Sequence, residues 1–179
     1  MSIDQLIAKI PSMSDAERRS MRDNASRKIE SSNAEQRSQA QHLLDALSAH
    51  EAQEALELMD YALGLSKSQR IVEAFRARPM TDTDRQVIQT LLDNPGATSK
   101  TLSEALRWGG QSWHLHFGKM CEARKEYLWP APYAEHRDAN FYSGILADYN
   151  EETSGFTMKA EAIEAFSGMG LRPKRTSQS

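Results

Sequence analysis

The chain has 179 residues, 39% of them hydrophobic and 26% charged, with a formal net charge of -3 and an isoelectric point near 6.0. That suits a soluble globular protein of one domain or two small ones, and the bulk charge does not mark a nucleic-acid binder. A single cysteine excludes an intrachain disulfide and any multi-cysteine zinc site. No run approaches the roughly 18 apolar residues of a membrane helix, and the N-terminus carries no apolar signal core, so a cytoplasmic location with no membrane partner is expected.

Taken in order, Ile3, Leu6, Ile7 and Ile10 recur at helical spacing, with Ser2 or Asp4 as a cap and Pro11 as the breaker. Ser14 and Glu17 form a capping box for a polar helix running to about Ile29, whose apolar stripe is only Met21, Ala25 and Ile29. Such a helix needs a partner to pack against. Residues 33–63 carry two apolar faces, one from Ala40, Leu43, Leu44 and Leu47, the other from Ala55, Leu56, Met59 and Leu63. They form either one long helix or two broken near Ser48–Glu51, and Gly64 ends the run. Ser66 to Ala77 adds a helix with Ile71, Val72 and Phe75 apolar. Residues 1–78 are therefore expected to be a helical bundle or hairpin array. Its few core residues suggest that it associates with another copy or with a partner protein.

Pro79 marks the expected domain boundary. Thr81 or Thr83 caps the next helix, with Asp82 and Asp84 in its first turn and Val87, Ile88, Leu91 and Leu92 facing inward. Thr98 caps a second helix containing Leu102, Ala105 and Leu106. Gly109-Gly110 turns the chain into a third, where Trp113, Phe117, Met120 and Tyr127 recur at helical spacing. After a Pro-rich corner, residues 141–149 read as a strand, residues 150–155 as a polar turn, and Phe156–Met158 as a second strand or a helix start. A last helix, Lys159 to Met169, precedes a basic tail, residues 172–179, expected to be disordered. The fold class is thus mainly α: an N-terminal helical bundle or hairpin array, then residues 80–171 as a winged-helix-like domain, a tri-helical core with a small β wing.

Catalytic chemistry finds no foothold. No phosphate loop, dinucleotide fingerprint or zinc-protease motif occurs. His114 and His116, two apart on a helix, point about 200° apart and do not share a metal. Cys121 has no activating base at a recognisable spacing. No enzyme, cofactor or metal is expected. The third helix is the recognition-helix candidate. Gln111, Ser112 and His114 stand at its start, where side chains and free backbone N–H groups would meet a duplex. Lys119, Arg124 and Arg107 would supply phosphate contacts. Gly118 inside this helix serves either tight packing within the domain or close approach of another molecule.

The run Leu106-Arg-Trp-Gly-Gly-Gln-Ser-Trp-His-Leu-His-Phe-Gly-Lys-Met-Cys-Glu-Ala123 resembles an accessory module of modification-dependent HNH restriction endonucleases. His114 replaces the module's usual Asn, Phe117 stands for its Tyr and Cys121 for its second Gly. Met158–Leu171 is similar to the module's end, so the resemblance spans about residues 83–171. It implies a small DNA-associated domain beside a nuclease or reader. It implies no nuclease activity, because the HNH metal motif is absent from the sequence. The expected function is a non-catalytic, double-stranded-DNA-binding protein, a transcriptional regulator or a DNA-associated phage or defence subunit. The alternative is an adaptor that uses its winged helix to dock proteins.

Overall fold

The computed structural model describes residues 2–110, 112–128, 133–134, 139–140 and 142–174. The chain divides into two compact units, Met1–Glu57 and Leu58–Ser179.

In the first unit, α1 (Ile3–Ile7) is closed by a capping box between Ser2 and Gln5. It ends three residues before Ile10, which instead opens a short 3-10 turn (Ile10–Ser12) with Pro11 inside it. The Ser14–Glu17 capping box starts α2 (Asp15–Lys28). Asn33 Oδ1 accepts from the Glu35 and Gln36 N–H groups and starts α3, a single uninterrupted helix from Ala34 to Leu63. Residues 48–51 contain no Gly or Pro, so nothing compels a break there. Ile10, Ala25, Ala40, Leu43 and Leu47 form the small core. Arg18 and Arg22 on α2 reach α3, at Glu54 (3.2 Å) and Glu51 (2.8 Å) respectively. The thin apolar stripe of α2 is thereby supplemented by ion pairs.

The second unit begins inside α3, not at Pro79. Capped by Ser66, α4 (Lys67–Ala77) buries Ile71, Ala74 and Phe75. The Phe75 ring meets Phe166 of the last helix edge-on, with centroids 5.2 Å apart. The helix placed by sequence in the N-terminal half therefore belongs to the second core. Its strong apolar face decides this, and Pro79 only bends the chain after it. Three helices follow: α5 (Asp82–Asp93), α6 (Ser99–Ala105) and α7 (Ser112–Glu122). Two residues, Ala97–Thr98, form strand β1 between α5 and α6.

Among the described residues, β2 (Tyr133–Ala134) and β3 (Ala139–Asn140) pair antiparallel. Residues 142–146 differ from the strand expected there. Tyr142–Ile145 is a 3-10 turn, and Ser143 through Ala147 are buried without alternation, which a one-sided strand cannot do. The strand β4 spans only Ala147–Asn150. It pairs antiparallel with β5 (Gly155–Met158), and β5 pairs with β1, giving the order β1-β5-β4. The Gly155 position admits no side chain, since a Cβ would collide with the Gly96 carbonyl. The last helix is α8 (Ala160–Gly168). Beyond it the tail is tied down at least to Lys174. The Gln89 amide donates to the Arg172 carbonyl at 2.8 Å, and the Lys174 N–H to Asp93 at 2.9 Å. Residues 175–179 lie outside the described residues.

Candidate functional site

The outer face of α7 is set by what its inner face buries. Trp113, Phe117, Met120 and Cys121 all face the core. The Trp113 and Phe117 rings stack at 4.8 Å, and the indole N–H donates to the Val87 carbonyl at 3.1 Å. Phe156 on β5 lies 5.2 Å from Trp113, and Tyr149 on β4 lies 4.9 Å from Phe156. An aromatic ladder thus fixes the β4–β5 hairpin to the start of α7. Opposite that ladder, Leu115, His116, Lys119 and Glu122 are exposed.

The start of α7 is closed by α6. Ser103, fully buried, donates to the Ser99 carbonyl and accepts from the Trp113 N–H at 3.0 Å. The Ser99 hydroxyl accepts from the His114 N–H at 3.3 Å and lies 3.0 Å from His114 Nδ1. Two of the donors that a helix N-terminus normally leaves open are therefore satisfied inside the protein. Of the three residues expected to offer free N–H groups, Gln111, Ser112 and His114, the last has its N–H taken up by Ser99, and the neighbouring Trp113 N–H is taken up by Ser103. Two serines at i and i+4 on the inward face of α6 were the signal in the sequence.

The expected contact residues fall into separate groups. Gln111 lies outside the described residues. Ser112 is half-buried and donates to the Gly109 carbonyl at 2.7 Å. His114 is half-buried against Ser99. Lys119 is exposed on the outer face. Arg107 is also exposed, with φ at 58°. The Trp108 N–H bonds the Ser103 carbonyl and the Arg107 N–H the Glu104 carbonyl, the pair of bonds of a helix-ending motif that usually places glycine where Arg107 stands. The turn between α6 and α7 therefore starts two residues before the glycines that announce it, although Gly110 also has positive φ.

Arg124 is excluded from any surface role. It is 3% exposed. Its guanidinium donates to the carbonyls of Met120 (2.9 Å), Arg78 (3.0 Å) and Pro79 (3.1 Å) and to the Asp84 carboxylate (2.9 Å). It also lies 4.2 Å from the centroid of the Phe75 ring. It satisfies the end of α7 and clamps the α4–α5 connection onto it. Sequence spacing alone puts Arg124 just past a helix end, where a basic residue is commonly solvated. Only the fold reveals partners some 40 residues away.

Gly118 is half-buried, and no heavy atom lies within 4 Å of the Cβ it lacks. Among the described residues, packing inside the domain does not require a glycine there. Cys121 is fully buried. Burial pushes its thiol far up, Arg124 pulls it down and Asp84 pushes it up again, and the upward shift prevails. It is no nucleophile in the folded state. Among the described residues no group of three or more His, Cys, Asp or Glu side chains is placed to hold a metal, and no helix is long and apolar enough to cross a membrane.

The β4–β5 hairpin carries Asp148, Glu151 and Glu152 and no lysine or arginine. All three acids are exposed, and Lys159 just beyond β5 is paired with Asp148 at 3.3 Å. The exposed Lys100, Arg107 and Lys119 lie three or four positions along the sequence from the exposed Glu104 and Glu122. No protein-family model, curated protein or solved structure matches the chain.

Proposed function

We propose that residues 82–158 form a winged-helix domain and that it works as a non-catalytic protein-docking module through the outer face of α7. The winged-helix reading is supported by element order: helix, short strand, helix, helix, then a hairpin whose second strand pairs with the short one. The docking reading is carried by the charge of the presented surface. Duplex binding draws its affinity from phosphate neutralisation. Here the wing is acidic, one of the expected cations is buried, and the remaining ones are interleaved with glutamates. Leu115 at 57% exposure and Tyr149 at 43% are apolar contacts suited to a protein partner. Gly118 leaves room for that partner's backbone.

A second reading, duplex DNA, is favoured by Arg107. A non-glycine residue in left-handed backbone is strained, and an exposed arginine kept there is consistent with use of its charge. The resemblance to the endonuclease accessory module points the same way. The two readings separate by site-specific photocrosslinking from position 115 of the full chain in cells. The docking reading expects a discrete protein adduct, absent when the crosslinker is moved to Lys125. A nucleic-acid adduct from position 115 would overturn it.

A further inference from the structure

The small core of the first unit leaves a cavity of about 520 Å³ between α1, α2 and α3, within the range of small-molecule sites, about 300–1,000 Å³. Ala25 of α2 and Ala40 of α3 are buried in its lining, and their short side chains leave the space open. Ile3 and Leu6 of α1, Met13 and Met21 supply apolar walls. The polar lining is not evenly spread. Lys28 in the last turn of α2, Asn24 one turn before it and Gln36 in the first turn of α3 gather at the α2–α3 connection. The Asn24 carbonyl oxygen accepts from Arg27 at 2.6 Å and that of Gln36 from the Ser31 hydroxyl at 2.8 Å, so both amides keep their N–H groups to give. Lys28 is exposed and in no ion pair among the described residues. Gln39 spends its N–H on Glu35 at 3.2 Å. Glu17, the acid of the lining, stands about 16 Å along α2 from Lys28, and its carboxylate already accepts from the Ser14 N–H and hydroxyl, each at 2.7 Å.

We propose that this cavity binds a small amphipathic anion, with a carboxylate head at Lys28, Asn24 and Gln36 and an apolar body among Ile3, Leu6, Met13 and Met21. One end offers an unpaired ammonium and two amide donors with no carboxylate among them, which favours a negatively charged head. Met13, ahead of the start of α2, stands at the end away from Lys28, so the apolar body has somewhere to lie. Methionine walls adapt to bodies of differing shape. A partner helix, about 10–12 Å across, would seat only one edge in this volume. All the lining falls within residues 3–43, so the site belongs to the first unit alone. It does not rest on what α7 binds.

Octanoate titrated into the full chain, followed by the methionine methyl resonances, should give saturable shifts at Met13 and Met21 and none at Met120, Met158 or Met169 of the second unit. Octan-1-ol, the same body without the charge, should bind roughly tenfold or more weakly, and octyltrimethylammonium should leave the resonances in place. Lys28→Gln should bring octanoate down to the affinity of octan-1-ol, while Lys28→Arg retains the preference. Lys28 is exposed, so both variants should keep the far-ultraviolet circular dichroism spectrum of wild type. If Lys28→Gln loses helix, the octanoate-to-octanol ratio of the wild-type chain gives the same reading. The absence of saturable shifts would overturn the proposal. So would octan-1-ol or the cation binding as tightly as octanoate, unchanged octanoate binding in a folded Lys28→Gln, or shifts confined to the second-unit methionines.

Discussion

Arg124 shows how far a side chain's role depends on what folds around it. Its guanidinium has four oxygen partners, and removing it takes the donor from three carbonyls and leaves Asp84 with the Thr81 N–H alone where it had a charged partner too. Arg124→Ala should destabilise the protein by about 3–5 kcal/mol, measured by urea unfolding. Lys119→Ala, on the exposed face, should stay within about 0.5 kcal/mol. A small effect at Arg124 would mean that the network does not support the fold. Gly118 gives a test of opposite sign. A Cβ there meets no heavy atom, so Gly118→Ala should stabilise α7 by up to about 1 kcal/mol and raise the thermal midpoint. Destabilisation would show a packing role that the open space denies. If Gly118 serves close approach of a partner, the same alanine should weaken docking while it strengthens the fold.

At the scale of elements, local signals were legible and remote ones were not. The capping box at Ser14 and the Thr98 cap are written within three or four residues and form as the sequence indicates, and of the two candidate caps Thr81 and Thr83 it is Thr81 that starts α5. The 3₁₀ turn at Tyr142–Ile145 was not legible, because a run of apolar residues suits a strand and a buried turn equally. The pairing of β1 with β5 joins residues almost 60 positions apart, and two residues carry no periodicity by which to find β1. The partners of Arg124 and the anchorage of the tail are likewise long-range. That anchorage has a pH dependence. Burial alone would raise the Asp93 carboxyl, but the Lys174 N–H, the Gln89 amide and the Lys174 ammonium outweigh it and hold it below its ordinary value. A depressed carboxyl contributes stability that is full above its unfolded value, about 3.9, and is lost as pH falls through the folded one. Residues 172–174 should therefore leave α5 only in acid. The protection of the Lys174 amide against exchange, taken relative to the intrinsic rate at each pH, should be high at neutral pH and fall below about pH 4, and an unprotected amide at neutral pH would contradict the tie.

The whole molecule is two small cores on a chain whose longest helix runs from one unit into the next. The mainly helical class, with a small antiparallel sheet, was readable from helical spacing and breakers. The division was not, because α3 crosses it without a glycine or proline. Charge at the level of the whole chain is nearly neutral, so any polyanion affinity must come from a local surface, and the surface around α7 alternates in sign. Fluorescence anisotropy with a labelled DNA duplex, repeated across salt concentration, tests the docking proposal most directly. The proposal predicts binding no tighter than the non-specific range, roughly 10⁻⁴–10⁻⁶ M, with little change in Lys119→Glu or Arg107→Glu. Tight binding whose logarithm falls steeply with the logarithm of salt, and which either substitution abolishes, would contradict it and make α7 a DNA-recognition helix.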